Sequence, residues 1–101
     1  PAQVTLEEFR IKRYLPGGLE RFDTHVDVQD YQSARRFLAF LLFLNTVDAG
    51  GETVFHLEQE YTFKPQMGTM LVFPPTWSFP HRGVAPKSGP KYIFSSYLHF
   101  V

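Results

Sequence analysis

The chain has 101 residues, 44% of them hydrophobic and 17% aromatic, with eleven phenylalanines, which is ample material for one core and sets a single domain over residues 1–101 as the expectation. Ten Lys and Arg balance ten Asp and Glu, so no basic excess is present to hold a polyanion and no nucleic-acid partner is expected. The absence of cysteine excludes a disulfide framework, a Cys-ligated zinc site and a thiol nucleophile, and it fits a reducing, cytoplasmic compartment.

In chain order, "TLEE" at residues 5–8 has the pattern of a capping box and predicts one short helical turn. "EFRIKRYL" follows with apolar residues near period two, and "PGG" at residues 16–18 breaks the chain. "ERFDTHVDV" is the next strand candidate, and the polar "QDYQSARR" reads as a loop. "FLAFLLFL" at residues 37–44 is the longest apolar run, far short of the about 20 residues of a membrane span, so no membrane association is expected. No secretory leader is legible either. The propensities of that run favour helix, whereas its length and unbroken apolarity fit a buried strand, and periodicity leaves the two open. "DAGG" is a turn; "ETVFH", "YTFKP", "GTMLVFPP", "FPHRGVAP" and "KYIFSSYLHFV" are short β-rich runs cut by Gly and Pro. About eight strands with such turns between them predict an all-β sandwich or barrel with little helix.

"RFDTHVD" carries the chemistry. In an extended strand Arg21, Asp23, His25 and Asp27 share one face, with Phe22, Thr24 and Val26 on the other. A solvated sheet face would account for that pattern, and so would a metal site. His25 and Asp27 lie roughly 7 Å apart along one face, a spacing that suits two ligands of one ion. A distal imidazole would complete a set of two His and one carboxylate, which leaves coordination positions open and favours non-haem Fe(II). Of the remaining histidines, His56 sits at a strand end and His99 at the terminus. His81, between aromatics and prolines in "WSFPHRGVAP", is the best third ligand. Lys91 opens the last strand ten residues later.

Taken together, "YLPGG", "HVD", "GGETVF", "GTMLVFPP", His81 and Lys91, in this order and over nearly the whole chain, resemble the Fe(II)- and 2-oxoglutarate-dependent dioxygenases, in their prolyl 4-hydroxylase-like branch. The resemblance implies a double-stranded β-helix, a jelly-roll or cupin-like barrel, in which residues 37–45 are a strand despite their helical propensity. It implies His25, Asp27 and His81 as ligands of Fe(II), and Lys91 as the cation that offsets the distal carboxylate of 2-oxoglutarate. Tyr14 would hydrogen-bond the same carboxylate, and Thr53 of "GGET" is a further contact. O2 is the second co-substrate, with ascorbate as an accessory reductant. The implied reaction hydroxylates an unactivated C–H bond, with a peptidyl proline or a small molecule as substrate, and releases succinate and CO2.

Trp77, Phe79 and Arg82 flank His81 and either line the substrate mouth or pack on the barrel. Tyr97 shares the face of Lys91 by parity, where the prolyl hydroxylases often carry Trp. Two other readings remain at this level. One is a cupin-like metalloenzyme without 2-oxoglutarate, which would need no Lys91. The other is a non-catalytic metal-binding barrel, which would need neither Lys91 nor the full ligand set.

Overall fold

A computed structural model describes residues 3–101; the two residues before them lie outside it. Nine strands are present among the described residues, and no helix. They are β1 (Val4–Leu6), β2 (Arg10–Tyr14), β3 (Phe22–His25), β4 (Arg36–Phe43), β5 (Thr53–His56), β6 (Glu60–Phe63), β7 (Met70–Phe73), β8 (His81–Gly83) and β9 (Lys91–Phe100). All the pairings are antiparallel. One sheet runs β1-β9-β4-β7, with β2 also paired to β9; the other runs β3-β8-β5-β6. The fold is the expected double-stranded β-helix.

One local expectation is met and two are not. The ambiguous run is a strand, because β4 lies between β7 and β9 and its backbone groups are used on both edges. Burial in a central strand outweighs the helical preference of Leu and Ala. The expected helical turn in "TLEE" is absent. Val4, Thr5 and Leu6 instead pair with Phe100, His99 and Leu98, since the far end of β9 offers a free edge. That extra strand raises the count from about eight to nine.

The second departure bears on the site. The register of β3 against β8 shifts between Phe22 and His25, so the strict alternation across "RFDTHVD" fails there. Asp23 is pushed out to solvent, with 90% of its side chain exposed. Phe22 turns inward, its ring 5.2 Å from His25 and 5.9 Å from His81. Gly83 makes this possible: it pairs with Phe22, and a Cβ there would run into the Phe22 ring. The inward face is therefore Phe22, His25 and Asp27, all of which line the barrel cavity.

The core lies between the sheets, with Phe43 and Ile93 almost fully buried and Ala39, Phe55, Leu71 and Phe73 around them. The cluster supports His81 directly: the rings of Phe55 and Phe73 stand 5.2 and 5.0 Å from its imidazole.

Candidate metal centre and co-substrate pocket

His81 opens β8, a strand paired on both sides by β3 and β5. It lies opposite His25 at the end of β3, and the two imidazoles are 4.5 Å apart. Asp27 sits two residues beyond β3, in the connection to β4. One ligand atom from each of the three residues falls within 4.8 Å of the other two. His25 Nε2 is 3.0 Å from Asp27 Oδ1, and His81 Nε2 is 3.7 Å from Asp27 Oδ2.

Both imidazoles are oriented the same way. His25 Nδ1 donates to the carbonyl of Asp23 at 2.8 Å, and His81 Nδ1 donates to that of Phe79 at 3.0 Å. Each backbone bond fixes the tautomer with its proton on Nδ1, leaving the Nε2 lone pair aimed at the carboxylate. Burial holds the pKa of His81 below the ordinary imidazole value, which keeps it neutral. Two lone pairs and a carboxylate converging on one point repel one another unless a cation lies between them. This donor set fits a divalent transition metal of the N/O-loving kind, with sites left open on the cavity side.

The cavity, of about 120 Å³, extends from these residues between Phe22, Tyr14, Ala39, Leu41 and Ile93. At its far end Tyr14 pairs directly with Lys91 across β2 and β9, so their side chains share a face. Lys91 is 2% exposed, its Nζ lying 5.8 Å from the Tyr14 ring centroid and 5.4 Å from that of Phe43. Among the described residues no carboxylate oxygen lies within 4.0 Å of this ammonium. Burial lowers its pKa to about 8, against a weaker opposing pull from Glu52. Burial likewise raises the pKa of Tyr14.

Thr53 is fully buried, and among the described residues its Oγ1 has no hydrogen-bond partner; neither has Oε1 of the adjacent Glu52. The turn at Gly50 and Gly51 brings this pair in: both glycines have positive φ, and a Cβ on Gly50 would meet the Ala85 carbonyl. Gly51 in turn lies against the Lys91 stem. A desolvated ammonium and a buried hydroxyl without a partner are each groups that an acceptor-rich anion would satisfy. A dicarboxylate is an anion of that kind.

The structure thus brings His25, Asp27, His81 and Tyr14 to one cavity; Lys91 and Thr53 are buried but do not line it. Trp77 does not line the cavity and is 83% exposed, whereas Phe79 packs on the core. Tyr97 lines it beside Asp27, and burial raises its pKa, reinforced by the Asp27 charge. His56 and His99 serve elsewhere: His56 faces Glu60 at 3.2 Å and His99 faces Glu7 at 3.1 Å. Sequence reasoning missed Arg36 and Glu7. They are bonded at 2.8 and 3.0 Å beside Asp27, and nothing in two residues 29 positions apart announces that pairing.

Similarity to known proteins agrees with this geometry. A 44% identical stretch of 57 residues, 52% of this chain, aligns with a probable prolyl 4-hydroxylase 9 of Arabidopsis thaliana but spans only 19% of that protein. The viral collagen prolyl hydroxylase of Paramecium bursaria Chlorella virus-1, solved as its 2-oxoglutarate complex, superposes with a TM-score of 0.79 at 25% identity, over 98% of this chain and 62% of that one. A prolyl hydroxylase from Trichoplax adhaerens, solved with a hypoxia-inducible-factor peptide, shares the fold with a TM-score of 0.81 at 20% identity, over 97% of this chain and 46% of that one. The sequence profile of the 2OG-Fe(II) oxygenase superfamily matches residues 9–99, and the chain belongs to that superfamily.

Proposed function

We propose that residues 1–101 form one catalytic unit that hydroxylates a C–H bond of an exposed peptidyl proline, consuming 2-oxoglutarate and O2. The reading is carried by one observation: the convergent donors His25, Asp27 and His81 share a barrel interior with a desolvated Lys91 and an unpartnered Thr53. Membership of the superfamily implies Fe(II), 2-oxoglutarate and O2. Bound at these residues, that set supplies the oxidising power, with succinate and CO2 as the by-products.

The chain's own groups do the rest. His25 and His81 offer Nε2, and Asp27 its carboxylate. Fe(II) with one carboxylate keeps one net positive charge, and the 2-oxoglutarate dianion turns it to one net negative charge. Lys91 would offset that charge out of water at the distal carboxylate of 2-oxoglutarate, to which the hydroxyls of Tyr14 and Thr53 would donate hydrogen bonds. Ala39, Leu41, Phe73 and Ile93 make the walls apolar and keep bulk water out.

The cavity suits the co-substrate. A peptide would lie in the polar groove next to it, of about 510 Å³, which shares Asp27 and Tyr97 with the cavity. The relatives named as prolyl hydroxylases, one of them solved with a peptide, support proline as the target.

The test is turnover. The iron-loaded protein is incubated with 2-oxoglutarate, ascorbate and a panel of proline-rich peptides, free proline and other amino acids. One added oxygen atom on a prolyl peptide, with matching succinate, is the expected result. Hydroxylation of a small molecule alone overturns the peptide claim, and no succinate with iron and 2-oxoglutarate both bound overturns the enzyme.

A further inference from the structure

His81 is held in a sheet ladder and His25 ends one, but Asp27 lies in the 26–35 connection, where no strand pairing fixes it. We propose that Arg36 is the positioning residue for Asp27, clamping the main chain of this ligand and held there itself by Glu7. The proposal rests on the metal-site reading above.

All three guanidinium nitrogens of Arg36 are engaged. Nη1 donates to the Asp27 carbonyl at 3.2 Å. Nε and Nη2 donate to the two oxygens of Glu7 at 2.8 and 3.0 Å, a bidentate pair. The guanidinium carbon lies 4.0 Å from the centroid of the Tyr97 ring, so the plane is held from its face as well. The pair is about four-fifths buried, with side-chain exposures of 21% and 22%.

Glu7 is anchored in turn. Its N–H donates to the Tyr97 carbonyl at 2.8 Å, its carbonyl accepts from Ser96 Oγ at 2.8 Å, and its carboxylate faces His99 Nδ1 at 3.1 Å. The clamp therefore ties Asp27 to two neighbouring residues of β9, whose ladder with β4 is the most extended in the molecule. One further bond, Val28 N–H to the Pro75 carbonyl at 2.8 Å, pins the next residue. Only a planar fork reaches both Glu7 oxygens and the Asp27 carbonyl together; a lysine ammonium in the same place cannot.

The experiment compares anaerobic Fe(II) affinity, and the visible ligand-field spectrum of the Co(II)-loaded protein, for wild type, Arg36→Lys, Arg36→Gln and Glu7→Gln, with the melting of each metal-free protein recorded in parallel. Arg36→Lys keeps the charge opposite Glu7 and so keeps the fold. It is expected to lower Fe(II) affinity by about 10- to 100-fold, the range typical for groups that orient a ligand, and to alter the Co(II) spectrum. Arg36→Gln is expected to do at least as much, and Glu7→Gln to give a smaller loss of the same kind. A changed melting temperature with wild-type affinity and spectrum in Arg36→Lys overturns the proposal, because the clamp then serves only the fold. If wild type itself binds no metal, the metal-site reading falls instead.

Discussion

At the metal end of the cavity the polar side chains are already held by the protein. The Nδ1 atoms of His25 and His81 are on backbone carbonyls, and the main chain of Asp27 is on Arg36. At the Lys91 end they are not: the ammonium has no close carboxylate among the described residues, and the Thr53 hydroxyl has no partner. The first end is preorganised, so its residues contribute geometry. The second stores an unmet demand for hydrogen bonds and charge, so its residues contribute affinity for whatever anion meets that demand. A substitution should therefore act differently at the two ends.

The largest effect belongs to His81. His81→Ala removes a ligand outright, and anaerobic Fe(II) titration should show a loss beyond the about 100-fold that marks the upper range for orienting groups. Wild-type affinity in this variant would erase the distinction between the ends.

Lys91→Met comes next. It should leave Fe(II) affinity near wild type while raising the 2-oxoglutarate dissociation constant by orders of magnitude, since losing one partner of a buried charge pair costs about 3–5 kcal/mol. The same residue sets a pH dependence. In the free protein the Lys91 pKa is about 8, below its ordinary value, so the ammonium form destabilises the fold most at low pH. Between about 8 and the unfolded value the unfolded chain binds more protons, and stability should rise with pH there; Lys91→Met should abolish that rise. Binding of the dianion stabilises the ammonium. Calorimetry should therefore show proton uptake near pH 8, and affinity should fall by up to about tenfold per pH unit above it.

The smallest effect, and the sharpest sign test, is Thr53→Val. Replacing a buried hydroxyl that bonds nothing with a group of the same shape should leave the free protein as stable or more stable, by up to about 1 kcal/mol in denaturant melts. The 2-oxoglutarate affinity should fall at the same time. A loss of both would mean that Thr53 is part of the packing alone.

The metal end was the more legible from sequence, and the reason is local. His25 and Asp27 are two residues apart, and the strand period announces them. Even so, that period predicted Arg21 and Asp23 beside them, and the bulge before His25 turned Phe22 inward instead. Alternation is a property of a regular ladder, and the irregularity depends on Gly83, 61 residues away in the chain. Tyr14 and Lys91 could be linked only through resemblance, because their direct cross-strand pairing depends on the register of β2 against β9. The Glu7–Arg36 clamp was not legible at all: each residue alone is an ordinary surface charge, and their distance is set by how β1, β4 and β9 meet. The strand β4 (Arg36–Phe43) went against propensity for a similar reason, since neighbours on both edges decide it.

The ten-residue β9 has one more consequence. It carries Lys91, Ile93, Ser95 and Tyr97, and the last three line the cavity, so a single extended segment works as a ruler from the buried ammonium to the groove that Tyr97 also lines. The span from Lys91 to Tyr97 is on the order of 20 Å and is fixed by the strand repeat rather than by any side chain. Inserting or deleting one residue within it would throw every graduation to the opposite face at once. The strand therefore tolerates a change of length poorly, whereas the connections at residues 26–35 and 74–80 are not bound by its repeat.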